Sequence, residues 1–180
     1  MTVLAIRKLG DPVLREQAKP VTDFDAELGV LVGDLRETLA DSQGAGLAAP
    51  QLGVGLRVFA WSPKLAENGV DHLVNPVLDF PDEEEQDGPE GCLSIPGIHL
   101  DTRRRMHVVA KGFTRQGDPV QVVGGGLLAR CIQHETDHLD GVLFIDRQTR
   151  QQQERWLTAL RAAAWFEESA LPEIKVSPHR

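Results

Sequence analysis

Gly126-Leu127-Leu128-Ala129-Arg130-Cys131-Ile132-Gln133-His134-Glu135-Thr136-Asp137-His138-Leu139 reads as one helix, apolar at Leu127, Leu128, Cys131 and Ile132 and polar toward its end. The polar end carries His134-Glu135-Thr136-Asp137-His138, an HExxH pattern. Four residues advance a helix by about 400° and about 6 Å, so the two imidazoles share a face and can reach one ion. Glu135 follows the first histidine, where it can take a proton from a water without ligating. The pattern is short, however, and two exposed histidines on a polar helix face would also produce it.

Upstream, Cys92 in Glu90-Gly91-Cys92-Leu93-Ser94 offers a third donor. A catalytic divalent site commonly takes three protein ligands and keeps one position for water, a count that a thiolate and two imidazoles meet. Taken alone, Cys92 reads more simply as a small buried residue. Cys131 falls on the apolar side of the helix and reads as core. A disulfide between the two is not expected in a cytoplasmic chain.

Further out, Leu28, Leu31, Val32, Leu35 and Leu39 recur at helical spacing, predicting an amphipathic helix over Asp25 to Ala40. Thr22 and Asp23 are its expected opening residues, and Asp41 to Gly46 its following loop. Four β-prone runs come between Gly, Pro and Asp punctuation: Arg57 to Trp61, His72 to Leu78, Arg105 to Gly112 and Pro119 to Val123. A last helix is expected around Gln151 to Glu168, with Trp156, Leu157, Leu160 and Ala164 on one stripe. The acidic run Asp82 to Asp87 reads as a solvated loop. The expected fold is α+β with a mostly antiparallel sheet.

The 180 residues suit one domain, 1–180, with a flexible tail at 170–180. No apolar run approaches the roughly 20 residues that cross a bilayer, and Met1 to Gly10 lacks the features of a secretory signal, so a cytoplasmic location is expected. A net charge of −8 argues against broad nucleic-acid binding, and contact with a ribosome would need a local basic patch.

Three segments, in this order, resemble the motifs of the peptide deformylases: Gly44-Ala45-Gly46-Leu47-Ala48-Ala49-Pro50-Gln51, Glu90-Gly91-Cys92-Leu93-Ser94, and Gln133-His134-Glu135-Thr136-Asp137-His138-Leu139-Asp140-Gly141. The resemblance runs from about Ile6 to about Arg147. It implies antiparallel β-sheets around a central HExxH helix. The implied activity is metal-dependent removal of the formyl group from the N-terminal formyl-methionine of nascent polypeptides, with release of formate.

The same resemblance implies roles for particular residues. Cys92, His134 and His138 would hold one divalent ion, with water in the fourth position as the nucleophile. Glu135 would be general base and then general acid. The Gln51 side-chain amide and the Leu93 N–H would donate to the developing oxyanion. Gly44, Gly46 and Gly91 would bind the extended peptide, with Gly44 and Gly46 suited to close backbone approach or positive φ.

Arg104 is the expected partner of Glu90, while Gln133 and Asp137 are expected to orient ligands. His72, His99, His107 and His179 lie outside the motifs and read as ordinary surface or strand residues. Iron(II) is the implied native ion, with nickel, cobalt or zinc as substitutes in purified protein. A monomer that meets the ribosome transiently, without specific nucleic-acid or membrane binding, is also implied.

Two positions depart from the family pattern. Thr136 stands where an apolar or larger residue is usual, and Gly124-Gly125-Gly126 replaces an acidic residue before the helix, removing a side-chain cap. Neither is a ligand or the catalytic carboxylate. Two rival readings remain: a zinc endopeptidase, which would usually draw its third ligand from downstream His, Glu or Asp, and a non-catalytic binder of formylated N-termini, which would not need Glu135.

Overall fold

Asp25 starts helix α1 (Ala26–Ser42) by accepting the Leu28 N–H at 3.0 Å. The cap is therefore Asp25 rather than Thr22 or Asp23, whose side chains bond to each other instead. The helix runs two residues past Ala40 and ends at Gln43, in the left-handed region at φ 56°. Leu28, Leu31, Val32, Leu35 and Leu39 are all buried, as their spacing requires. The computed structural model describes residues 2–66 and 69–166.

Nine strands follow among the described residues: β1 (Gly46–Ala48), β2 (Val58–Trp61), β3 (His72–Asp79), β4 (Glu85–Gln86), β5 (Pro89–Cys92), β6 (Ile95–Asp101), β7 (Arg104–Arg105), β8 (His107–Phe113) and β9 (Pro119–Gly125). They form an antiparallel sheet in the order β1-β2-β3-β8-β9 and two antiparallel pairs, β4-β7 and β5-β6. The four expected runs are present with shifts of one or two residues at their ends. The others were not foreseen, because Gly46, Pro89, Gly91, Pro96 and Gly97 break the alternation that marks a strand. Within the acidic run, Glu85 and Gln86 pair with Arg105 and Arg104, so that segment is not wholly a loop.

β2 is apolar at every position because both its faces are covered. Val58 and Ala60 join the cluster built around the buried residues of α1. Phe59 and Trp61 join a second cluster with Leu73, Val108, Ala129 and Ile132, the last two from helix α2 (Gly126–Leu139). Each large apolar side chain fully buried in this way contributes about 1.5–3 kcal/mol.

α2 has the predicted boundaries, and Gly125 caps it without a side-chain bond. The alternative of two exposed histidines on a polar helix face is overturned. Leu127 is 57% exposed, whereas every residue from Leu128 to Leu139 is buried. The sheet covers one side of the helix. A third cluster covers the metal-motif end: Phe144 and Ile145 of a 3-10 turn (Phe144–Arg147), Ile95 and Ile98 of β6, and Trp156 and Leu160 of helix α3 (Arg150–Arg161). α3 stops before Ala164, short of its expected end. Glu167, Glu168, His179 and the expected flexible tail lie outside the described residues.

Candidate metal centre and active site

Burial of a polar helix end favours partners for its side chains, and most of them have one. Thr136 returns its hydroxyl to the Ile132 carbonyl at 2.8 Å, so its departure from the family pattern leaves no buried donor unmet. Gln133 donates to the Ala129 and Arg105 carbonyls and accepts the Arg105 N–H at 3.0 Å. It ties α2 to β7 rather than orienting a ligand. Asp137 receives Arg104 Nη1 at 2.6 Å and both Nε and Nη2 of Arg147 at 2.6 and 2.7 Å.

His134 and His138 are brought to Cys92 by the β5-β6 hairpin. One donor atom from each of the three residues lies within 4.8 Å of the others, with Cys92 Sγ 3.3 Å from His138 Nε2. The Nδ1 of His134 is hydrogen-bonded to Glu90 Oε1 at 2.6 Å, which leaves Nε2 as the nitrogen available to a ligand. Burial pushes the Cys92 thiol up, but the imidazoles of His138 and His134 outweigh it and bring the thiol down to about 5. That lowering favours the thiolate, the form that binds metal. Two imidazoles and a thiolate fit one borderline divalent ion. A second donor group, Asp82, Glu84 and His107, is largely exposed and carries its own Asp82–His107 hydrogen bond.

Glu135 lines the same cavity, with its carboxylate against Gly46. Its Oε2 is buried and has no hydrogen-bond partner among the described residues. Burial raises its carboxyl to about 7, a rise held back by the nearby His134 and His138. Glu90 behaves oppositely: burial raises it, yet Arg104 and His134 hold it well below the usual carboxylate range.

The expected Arg104–Glu90 pair is present through both Nε (3.0 Å) and Nη2. Gln51 accepts the Ala48 N–H at 2.8 Å, which turns its amide nitrogen toward Ser94 Oγ (3.1 Å) and Cys92 Sγ (3.6 Å).

Gln51, Glu90, Cys92, His134 and Glu135 line one cavity of about 600 Å³, together with Gly44, Gly46, Gly91, Leu93 and Leu127. β1 is an edge strand of the large sheet, so its outer side carries no strand neighbour among the described residues. Neither Gly44 nor Gly46 has positive φ; both are required by proximity instead. A Cβ on Gly44 would stand 2.9 Å from Leu93 Cδ1, and one on Gly46 would stand 2.7 Å from Cys131 Sγ and overlap the Glu135 carboxylate. A Cβ on Gly91 would strike the ring of His99, an exposed residue of β6, as expected, that also lines the cavity. His72, also read as an ordinary residue, is 6% exposed and accepts the Arg115 N–H through Nε2. Cys131 is a buried free thiol, as expected of core.

The polypeptide deformylase family model matches residues 3–154. The chain belongs to the polypeptide deformylase family. It is 55% identical over 179 residues to a peptide deformylase of Acidothermus cellulolyticus, covering 99% of this chain and 96% of that one. A Parafrankia peptide deformylase is 54% identical with the same coverage. Among solved structures, a peptide deformylase of Synechococcus elongatus in complex with actinonin superposes with a TM-score of 0.82 at 37% identity, covering 95% of this chain and 91% of that one. The Thermus thermophilus peptide deformylase also superposes at 0.82, with 38% identity over 89% of this chain and 94% of that one. The deformylase fold expected from the sequence is thus the observed one, and the chain is a metal-dependent hydrolase acting on N-formyl peptides. The endopeptidase reading is set aside by the same matches.

Proposed function

We propose that this deformylase removes the formyl group from N-terminal formyl-methionine of nascent polypeptides with Cys92, His134 and His138 as metal ligands and Glu135 as general base and acid. The observation that carries the assignment is the contrast between two buried carboxylates. Glu90 accepts bonds from both arginine and a histidine ligand, whereas Glu135, beside the same donors, keeps an oxygen unpartnered. A carboxylate with one oxygen unpartnered and raised toward neutrality is suited to carry a proton in both directions.

A divalent ion held by the three donors supplies Lewis acidity and a nucleophilic water at neutral pH. Iron(II) is the proposed native ion. The substrate lies along the edge of β1, its main chain pairing there so that sequence beyond methionine is weakly read. Glu135 accepts the proton of the attacking water as its oxygen bonds to the formyl carbon. The Gln51 amide and the Leu93 N–H donate to the oxygen that gains charge. Glu135 then delivers the proton to the amine nitrogen as the C–N bond breaks, releasing formate and a free α-amine.

No helix among the described residues is long and apolar enough to cross a membrane. The enzyme is proposed to act as a cytoplasmic monomer in one catalytic domain that meets the ribosome transiently, without specific nucleic-acid binding.

The test is formate release from a formyl-methionyl tripeptide by anaerobically purified protein beside Glu135→Ala at matched metal content. Metal-dependent release that collapses in the variant supports the assignment. Full activity in Glu135→Ala removes Glu135 from the mechanism, and binding without turnover in metal-loaded wild type returns the chain to the binding-module reading.

A further inference from the structure

Arg130 enters the interior one turn before His134, on the same face of α2. It is 6% exposed and lines the cavity. Nη1 donates to Glu90 Oε2 at 2.9 Å and to the Thr102 carbonyl at 2.7 Å. A buried guanidinium is costly unless paired, and its carboxylate partner here is Glu90.

The two oxygens of Glu90 are occupied from three directions. Oε1 accepts from His134 Nδ1 and Arg104 Nη2, while Oε2 accepts from Arg104 Nε and Arg130 Nη1. Arg104 grips one edge of the carboxylate but also serves Asp137. A carboxylate held along a single edge can still rotate about it. A second donor on Oε2, from a different element and itself tied to the Thr102 backbone, removes that freedom.

We infer that Arg130 is a positioning residue of the metal centre, locking Glu90 so that Oε1 stays on His134 Nδ1 and the ligating nitrogen keeps its direction toward the ion. Arg130 touches neither the ion's proposed ligands nor the reacting atoms, and acts through Glu90. The inference rests on the ligand set proposed above.

The test follows cobalt(II) loss from the loaded full chain into excess chelator, read from the cobalt–thiolate absorbance. Arg130→Met keeps the length of the side chain and deletes its donors; Arg130→Lys restores one donor. Arg57→Met is the control, since Arg57 bonds the Leu139 carbonyl and Asp140 rather than Glu90. Arg130→Met is expected to lose cobalt about 10–100-fold faster than wild type, the range typical of groups that orient ligands. Arg130→Lys should fall between, and Arg57→Met should match wild type.

Equal rates in Arg130→Met and wild type overturn the inference, as does equal acceleration in both methionine variants, which would mark general destabilisation. If Arg130→Met does not fold, Arg130→Lys decides: faster loss than wild type supports the inference and an unchanged rate overturns it. A Cys92→Ala protein that keeps the wild-type cobalt spectrum overturns the ligand assignment itself. An altered spectrum there, with Arg130 variants unchanged, overturns the Arg130 inference alone.

Discussion

Glu90 and His134, forty-four residues apart, meet at 2.6 Å, and this contact determines which nitrogen of the ring remains to bind metal. The same carboxylate neutralises two buried arginines, so it links stability to the metal site. Deleting one member of such a group leaves the others uncompensated, at about 3–5 kcal/mol. Glu90→Leu should therefore lower unfolding free energy by about that amount in denaturant titrations. A loss under about 1 kcal/mol, the range of exposed pairs, would contradict it.

Gln51 separates orientation from metal binding. Its oxygen is anchored by the Ala48 N–H and its nitrogen faces Ser94 and Cys92. Gln51→Leu should reduce kcat by about 10²–10³, the effect of losing one oxyanion donor, with metal content unchanged. Metal analysis and steady-state formate release on one sample provide the check. Unchanged kcat would assign Gln51 to loop structure alone.

Gly46 tests the close approach of β1 to α2. A Cβ there would overlap the Glu135 carboxylate and stand 2.7 Å from Cys131 Sγ. Gly46→Ala should cost about 1–3 kcal/mol by overpacking and lower kcat through displacement of Glu135. Cys131→Ala in the same chain should recover stability more than kcat, because it removes the sulfur and not the clash with Glu135.

Away from the site, Asp71 should shape acid stability. Burial raises its carboxyl, but hydrogen bonds with His72 and Arg36 outweigh this and hold it below 3.8. A carboxyl depressed on folding contributes stability that is fully present above its unfolded value and is lost as pH falls through the folded one. The stability difference between wild type and Asp71→Asn should be constant near neutrality and shrink only below about pH 4. A difference that grows on acidification would reverse the assignment.

Much of the site was legible because its information is local. The four-residue spacing of His134 and His138 follows from helix geometry, and the three motifs bring Cys92, Gln51 and Glu135 into consideration by residue type and order. α1, α2 and four strands announce themselves through apolar period. The β5-β6 hairpin does not, since glycine and proline carry no alternation, and Asp25 outcompetes Thr22 and Asp23 as a cap only because of where the chain turns.

The sequence by itself determined the candidate donor set, the carboxylate proposed for catalysis and the helices and central strands that carry them, because each depends on residues close together or on the period of one element. Tertiary structure decided which polar groups are buried and with whom. Nothing in the spacing of Glu90, Arg104, Arg130 and Asp137 says that they form one group, or that Gln133 binds β7 while Glu135 stays unpartnered. The chemical difference between two carboxylates, one held ionised by arginine and one raised toward neutrality by burial, arises from the interior that the sheet, the hairpin and the Phe144–Arg147 turn close around α2.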